Sequence, residues 1–158
     1  MSSSAGIARI LLVDDNANDV ELTLDAFRQE KLSNQIDVAR SGQDALDRLF
    51  GRTLGPDGGR PPLPDLILLD IKMPHIDGFE VLRQLKTAPF LRRIPVVILT
   101  SSREEGDRAM TYDTGANSYL VKPVSFEGML EIVRKIKDYW LTINVGPPPP
   151  ADDGAEPV

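Results

Sequence analysis

The chain contains no cysteine. That absence excludes disulfides, thiolate catalysis, zinc ribbons and cysteine-ligated iron–sulfur clusters, and a reducing cytoplasm is the expected setting. There is one histidine, His75, and one tryptophan, Trp140. A lone loop histidine without an obvious partner reads as inert rather than as a base. No apolar run approaches the ~20 residues that a membrane helix needs. The first residues, MSSSAGIARILLV, lack the basic region of a signal peptide. Lys and Arg are not in excess either: the formal net charge is −6, and Asp152, Asp153 and Glu156 supply half of it. This is not the electrostatic footprint of a nucleic-acid binder.

What remains is an ordinary globular composition, with 41% hydrophobic residues in 158. Residues 146–158, GPPPPADDGAEPV, hold five of the 13 prolines and read as a disordered or polyproline tail. Residues 1–145 are then enough for one domain with a single buried core. Along them, apolar runs alternate with amphipathic stretches. Ala8–Val13, Asp65–Asp70 and Pro95–Thr100 are nearly continuous apolar runs, which predicts strands buried on both faces of a parallel sheet. Ile36–Ala39 and Ser118–Val121 are weaker strand candidates.

Helical spacing fills the gaps. Val20, Leu24 and Phe27 mark a helix from about Ala17 to Lys31, and Ala45, Leu46 and Leu49 a second after Ser41-Gly42. Phe79, Leu82 and Leu85 mark a third, and Glu104–Asp113 a fourth with few apolar anchors. Phe126, Leu130, Val133, Ile136 and Trp140 mark a fifth, with Ser125 as N-cap. Five β-α units with right-handed crossovers predict an α/β fold, a three-layer αβα sandwich around a five-stranded parallel sheet.

Polar residues collect where the strands end. Asp14 and Asp15 follow the first strand, Asp70 ends the third, Thr100 ends the fourth and Lys122 follows the fifth. In a parallel sheet these ends share one edge, where open α/β sheets place their sites. Carboxylates ~4 Å apart repel by about 4 kcal/mol at an effective dielectric of ~20, so three of them require a cation or raised pKa values. A donor set of carboxylates, with no Cys or His at the strand ends, suits Mg²⁺. A divalent ion, Lys122, the Thr100 hydroxyl and Asp70 form a site for stabilising a phosphoryl group, with Asp70 as the nucleophile. Taken singly, each Asp is an ordinary cap or turn residue, and Asp15 or Asn16 can serve as cap of the first helix. Together they make one coherent site.

Four segments carry a family resemblance: LLVDDN (11–16), LILLDIKMPHIDGFEVL (66–82), VVILTSS (96–102) and GANSYLVKP (115–123). Residues 7–139 resemble the receiver domain of two-component response regulators. The resemblance implies a sheet of order 2-1-3-4-5 and phosphotransfer from the phosphohistidine of a sensor histidine kinase to Asp70. It implies that Asp15, Asp70 and the carbonyl of Lys72 hold Mg²⁺ directly, and Asp14 through water. It further implies that Lys122 pairs with the phosphate, that Thr100 and Tyr119 form the switch, and that the Lys122–Pro123 bond is cis. Gly78 supplies backbone freedom after the Met73-Pro74 loop. LKTAPFLRRIPVVILTSS (85–102) and the long loop before Pro64 are similar to single-domain regulators paired with bacterial and cyanobacterial phytochromes. That subgroup implies a phytochrome kinase as partner. It also implies a homodimer through the fourth helix, fifth strand, fifth helix and a C-terminal extension in which Tyr139, Trp140, Leu141, Ile143 and Val145 are apolar. Kinase pairing points to Ala17, Asn18, Val20, Glu21, Pro123 and Val124.

The expected product is a phosphoprotein acting through protein contacts in the cytoplasm, not an enzyme on other substrates, with no nucleic-acid or membrane partner. Two alternatives lack their key residue. A haloacid-dehalogenase-type phosphohydrolase needs a general-acid Asp where Lys72 stands. A flavodoxin needs a Ser/Thr/Gly-rich phosphate loop where Asp14-Asp15-Asn16 stands. A degenerate, phosphate-independent receiver is disfavoured by the complete Asp, Thr and Lys set. Lys72 is placed to contact the phosphoryl group or crowd the hydrolytic water, against the plainer reading that it points into solvent. Ser102 reads as a loop or cap residue.

Overall fold

The computed structural model describes residues 9–32, 36–53, 58–59 and 61–138. The first strand, β1, spans Ile10–Val13, and the others are β2 (Ile36–Ala39), β3 (Leu66–Leu69), β4 (Val96–Thr100) and β5 (Ser118–Val121). The helices that alternate with them are α1 (Ala17–Gln29), α2 (Gly42–Leu49), α3 (Gly78–Thr87), α4 (Glu105–Thr114) and α5 (Phe126–Ile136). All strand pairs are parallel, in the order β2-β1-β3-β4-β5. Trp140, the apolar residues to Val145 and the Pro-rich tail lie outside the described residues.

The apolar runs are continuous because both sheet faces are covered. Alternate side chains of a strand point to opposite faces. Leu11, Val13, Ile67, Leu69, Val96 and Ile98 pack on one side with Ala45, Leu46 and Leu49 of α2 and Val81, Leu82 and Leu85 of α3. Ile10, Leu12, Leu66, Leu68, Val97 and Leu99 pack on the other with Val20 and Phe27 of α1 and Met129, Val133 and Ile136 of α5. Val20 is fully buried, so it belongs to the core and not to a kinase-facing surface. Ala17, Asn18, Glu21 and Val124 are exposed.

Helix starts follow from short polar side chains. Asn16, Ser41, Asp77 and Ser125 each accept a hydrogen bond from the backbone N–H three residues on, capping α1, α2, α3 and α5. The fourth helix has no side-chain cap and buries only Thr111. Its weak apolar pattern in the sequence is thus a true report of a loosely seated helix. No helix among the described residues is long and apolar enough to cross a membrane.

Two backbone expectations are corrected. Every described peptide bond is trans, Lys122–Pro123 included; the tertiary amide before proline leaves the two isomers within about 1 kcal/mol of each other. Gly78 does not supply a left-handed conformation. In the loop after Asp70 that role falls to His75, with φ of 64°. Gly78 is required for space: a Cβ there would lie 2.3 Å from the Asp70 carbonyl oxygen and 2.5 Å from the Ile71 Cα. The start of α3 is thereby pressed against the strand end that carries Asp70.

A pair of substitutions separates these effects. Gly78→Ala is expected to lower stability in urea melts by about 1–3 kcal/mol through overpacking. Gly106→Ala, in α4 with nothing within 4 Å of the added carbon, is expected to raise it by about 0.5 kcal/mol.

Candidate functional site

Strand register builds the site. Val13 pairs with Leu69, so Asp14 and Asp70 each stand one residue past a matched pair. The Asp70 N–H donates to the Val13 carbonyl at 3.0 Å and the Asp14 N–H to the Ala39 carbonyl at 3.1 Å, pinning both backbones. Thr100 pairs with Val121, and the next residue, Lys122, donates its N–H to the Thr100 carbonyl at 2.7 Å. The parallel strands therefore deliver Asp14, Asp15, Asp70, Thr100 and Lys122 to one edge. Asp14, Asp70 and Thr100 are buried and Asp15 is exposed.

Oxygens of Asp14, Asp15 and Asp70 lie within 4.8 Å of one another. The Lys122 ammonium meets Asp14 Oδ2 at 2.9 Å, Asp70 Oδ2 at 2.9 Å and Asp19 Oδ2 at 2.8 Å. Burial pushes the Asp14 carboxyl above its ordinary value, against the pull of the Asn16 N–H and Lys122. Burial alone would lower the Lys122 pKa, but its hydrogen bonds to Asp19, Asp14 and Asp70 outweigh it and hold the ammonium charged. One ammonium faces four carboxylates at this edge. The excess negative charge, the close oxygens and the all-carboxylate donor set fit a divalent cation.

Asp70 Oδ1 accepts from the Lys72 N–H at 3.0 Å, which orients the carboxylate and leaves Oδ2 toward Lys122. The Lys72 side chain is half exposed and has an ion-pair partner. Its Nζ pairs with Asp107 Oδ2, 3.0 Å away, in the first turn of α4. Asp107 also accepts from Ser102 Oγ at 2.6 Å, and these two partners, Ser102 foremost, hold its carboxyl below the ordinary range. Ser102 is the loop and cap residue expected, its Oγ accepting from the Glu104 N–H at 3.3 Å ahead of α4, and it is also a junction. Its N–H donates to Thr100 Oγ1 at 3.4 Å, and its carbonyl accepts from the Tyr119 hydroxyl at 3.0 Å.

The sequence reasoning missed Asp19 and Asp107. Each sits in the first turn of a helix, where an acidic residue is ordinarily explained by the helix dipole. Asp19, three residues after the Asn16 cap, was marked only by that spacing.

Residues 10–134 match the family model described as the response regulator receiver domain. The chain belongs to that family. It is a receiver domain of a two-component response regulator, and phosphorylation on an aspartate is general to the family. It is 44% identical over 140 residues to the probable methanogenesis regulatory protein FilR2 of Methanothrix harundinacea, covering 89% of this chain and 88% of that protein. It is 36% identical over 132 residues to response regulator Rcp1 of Synechocystis, covering 84% and 88%. The solved phosphorylated cyanobacterial phytochrome response regulator RcpA superposes with a TM-score of 0.79 at 35% identity, over 89% of this chain and 99% of that one. Rcp1 has been solved in a Mn²⁺-bound form. Receiver domains bind a divalent cation at an aspartate cluster, and Asp14, Asp15 and Asp70 form such a cluster here.

The receiver edge is held together electrostatically, and this can be measured. Lys122→Met keeps an unbranched side chain, one atom shorter, but leaves Asp14 and Asp70 buried without their ammonium. In the absence of metal it is expected to cost about 3–5 kcal/mol at neutral pH. In the variant the folded state retains protons that the unfolded state has lost, so its stability must rise as pH falls toward about 4. Urea melts across pH in a chelator check both statements; an unchanged neutral-pH stability would reject the role given to Lys122.

Proposed function

We propose that Asp70 is the phosphoacceptor of this receiver, that the cation is Mg²⁺, and that the kinase is a phytochrome-type sensor histidine kinase. The observation that carries the reading is the meeting of Asp14, Asp15, Asp70 and Lys122 at one sheet edge. Asp14, Asp15, Asp70 and the Lys72 carbonyl would hold the ion, whose chemistry is to neutralise phosphoryl oxygens. In phosphorylation, an Asp70 carboxylate oxygen bonds to phosphorus while the donor's N–P bond breaks, and the freed imidazole takes a proton from solvent. In dephosphorylation, a water oxygen attacks phosphorus and the bond to Asp70 breaks. The carboxylate re-forms and a proton returns to solvent.

The protein's own residues supply charge and geometry. The Lys72 N–H orients Asp70, and the charged Lys122 stabilises the added negative charge. Thr100 and Tyr119 act as the switch. Both bond Ser102, whose hydroxyl reaches α4 through Asp107. A phosphoryl group that draws the Thr100 hydroxyl toward it removes one of these bonds and so biases Tyr119 and α4. The output is a protein contact with a second copy of the chain, through α4, β5 and α5, in the cytoplasm. β5 is an edge strand, half-buried throughout, and Tyr112 of α4 is 47% exposed.

Acetyl phosphate with Mg²⁺ is expected to add one phosphoryl group by intact mass, and to add none without Mg²⁺ or to Asp70→Asn. Size exclusion of the same samples reads the dimer. Failure of both acetyl phosphate and a panel of phosphohistidine kinases, together with absent Mg²⁺ binding, would replace this reading with a phosphate-independent binding module. Lys72→Ala releases Asp107 and is expected to change the autodephosphorylation rate severalfold, as the neighbour of Asp70 and the anchor of α4. Equal rates would confine Lys72 to a structural ion pair.

A further inference from the structure

The Lys122 ammonium has three protons and three acceptors. Asp14, Asp19 and Asp70 each take one, at 2.8–2.9 Å, and the side chain is 7% exposed, so no donor is left over. With Asp70 phosphorylated, its charge sits on the phosphoryl group, which inherits the Asp70 share of this ammonium and can take a second share only from Asp14 or Asp19. They are not equally easy to displace. The Asp14 side chain is 2% exposed and has no water to turn to when the ammonium leaves it.

Asp19 differs on each count. Its side chain is 35% exposed and can be rehydrated where it stands. It lies in the first turn of α1, where the unpaired N–H groups favour negative charge. Its backbone is fixed independently, by an N–H bond to Asn16 Oδ1 at 3.0 Å and by the Thr23 hydroxyl on its carbonyl at 2.8 Å. Releasing its carboxylate therefore leaves the helix in place.

We propose that Asp19 is a positioning residue that competes with the phosphoryl group for Lys122, holding the ammonium in the unphosphorylated state and yielding it on phosphorylation. Asp19 thereby tunes how tightly the site holds a phosphoryl group. This rests on the reading of Asp70 as phosphoacceptor. It adds a residue of α1, outside the Asp, Thr and Lys set, as a determinant of the phosphorylated state.

The test uses the full chain, with beryllofluoride as the phosphoryl probe in saturating Mg²⁺, and calorimetric titration of both probe and metal. Asp19→Asn removes the competing charge without changing the side chain's size. It is expected to tighten beryllofluoride binding by about tenfold and to leave Mg²⁺ binding unchanged or weaker, since one negative charge is gone. The opposite directions separate competition from damage, because a loosened fold weakens both. Asp19→Glu, which restores the carboxylate, is expected to bring beryllofluoride affinity back toward wild type. If wild type binds beryllofluoride and Asp19→Asn binds it equally or less tightly, the competition is rejected. If wild type with Mg²⁺ does not bind beryllofluoride at all, the phosphoacceptor reading fails first.

Discussion

The Lys122 ammonium is the contact on which the working edge of this domain depends. It touches three of the four carboxylates there. Without a cation, Asp14 and Asp70 would be two buried charges side by side on adjacent strands. With it, they are held a few ångströms apart, each bonded to the same ammonium. The cost of this arrangement is met by the rest of the fold. Apolar strands packed on both faces hold the backbone of the edge still, and the close approach of Gly78 to Asp70 leaves that strand end little freedom.

The same edge is linked to the outer helices by two separate devices. On one side, Asp19 joins Lys122 to the first turn of α1. On the other, Lys72, Asp107 and Ser102 join the loop after Asp70 to α4, and Ser102 gathers Thr100 and Tyr119 into the same chain of bonds. α4 is suited to follow such a linkage. It buries one residue, lacks a side-chain cap and depends on few apolar contacts to keep its place. Among the described helices it is the one least firmly bound to the core.

The similarity to phytochrome response regulators extends over almost the whole of the solved relative. The core that builds the edge is what such relatives share with this chain at the level of fold.

Much of the fold could be read from the sequence. Continuous apolar runs at 10–13, 66–69 and 96–100 could bury both faces only in a covered parallel sheet, and Asp15 or Asn16, Ser41 and Ser125 marked where three of the helices begin. The charged residues at strand ends were legible for the same reason, because a parallel sheet brings every such end to one edge. The partners that the side chains choose there were decided only by tertiary structure. Whether Lys122 reaches α1, whether Lys72 turns to Asp107 or to Asp70, and whether Gly78 serves space or backbone angle depend on distances between residues far apart in the chain. Periodicity and local preference specify what each segment becomes. They do not carry the through-space electrostatics and close contacts that appear only when the segments are packed together.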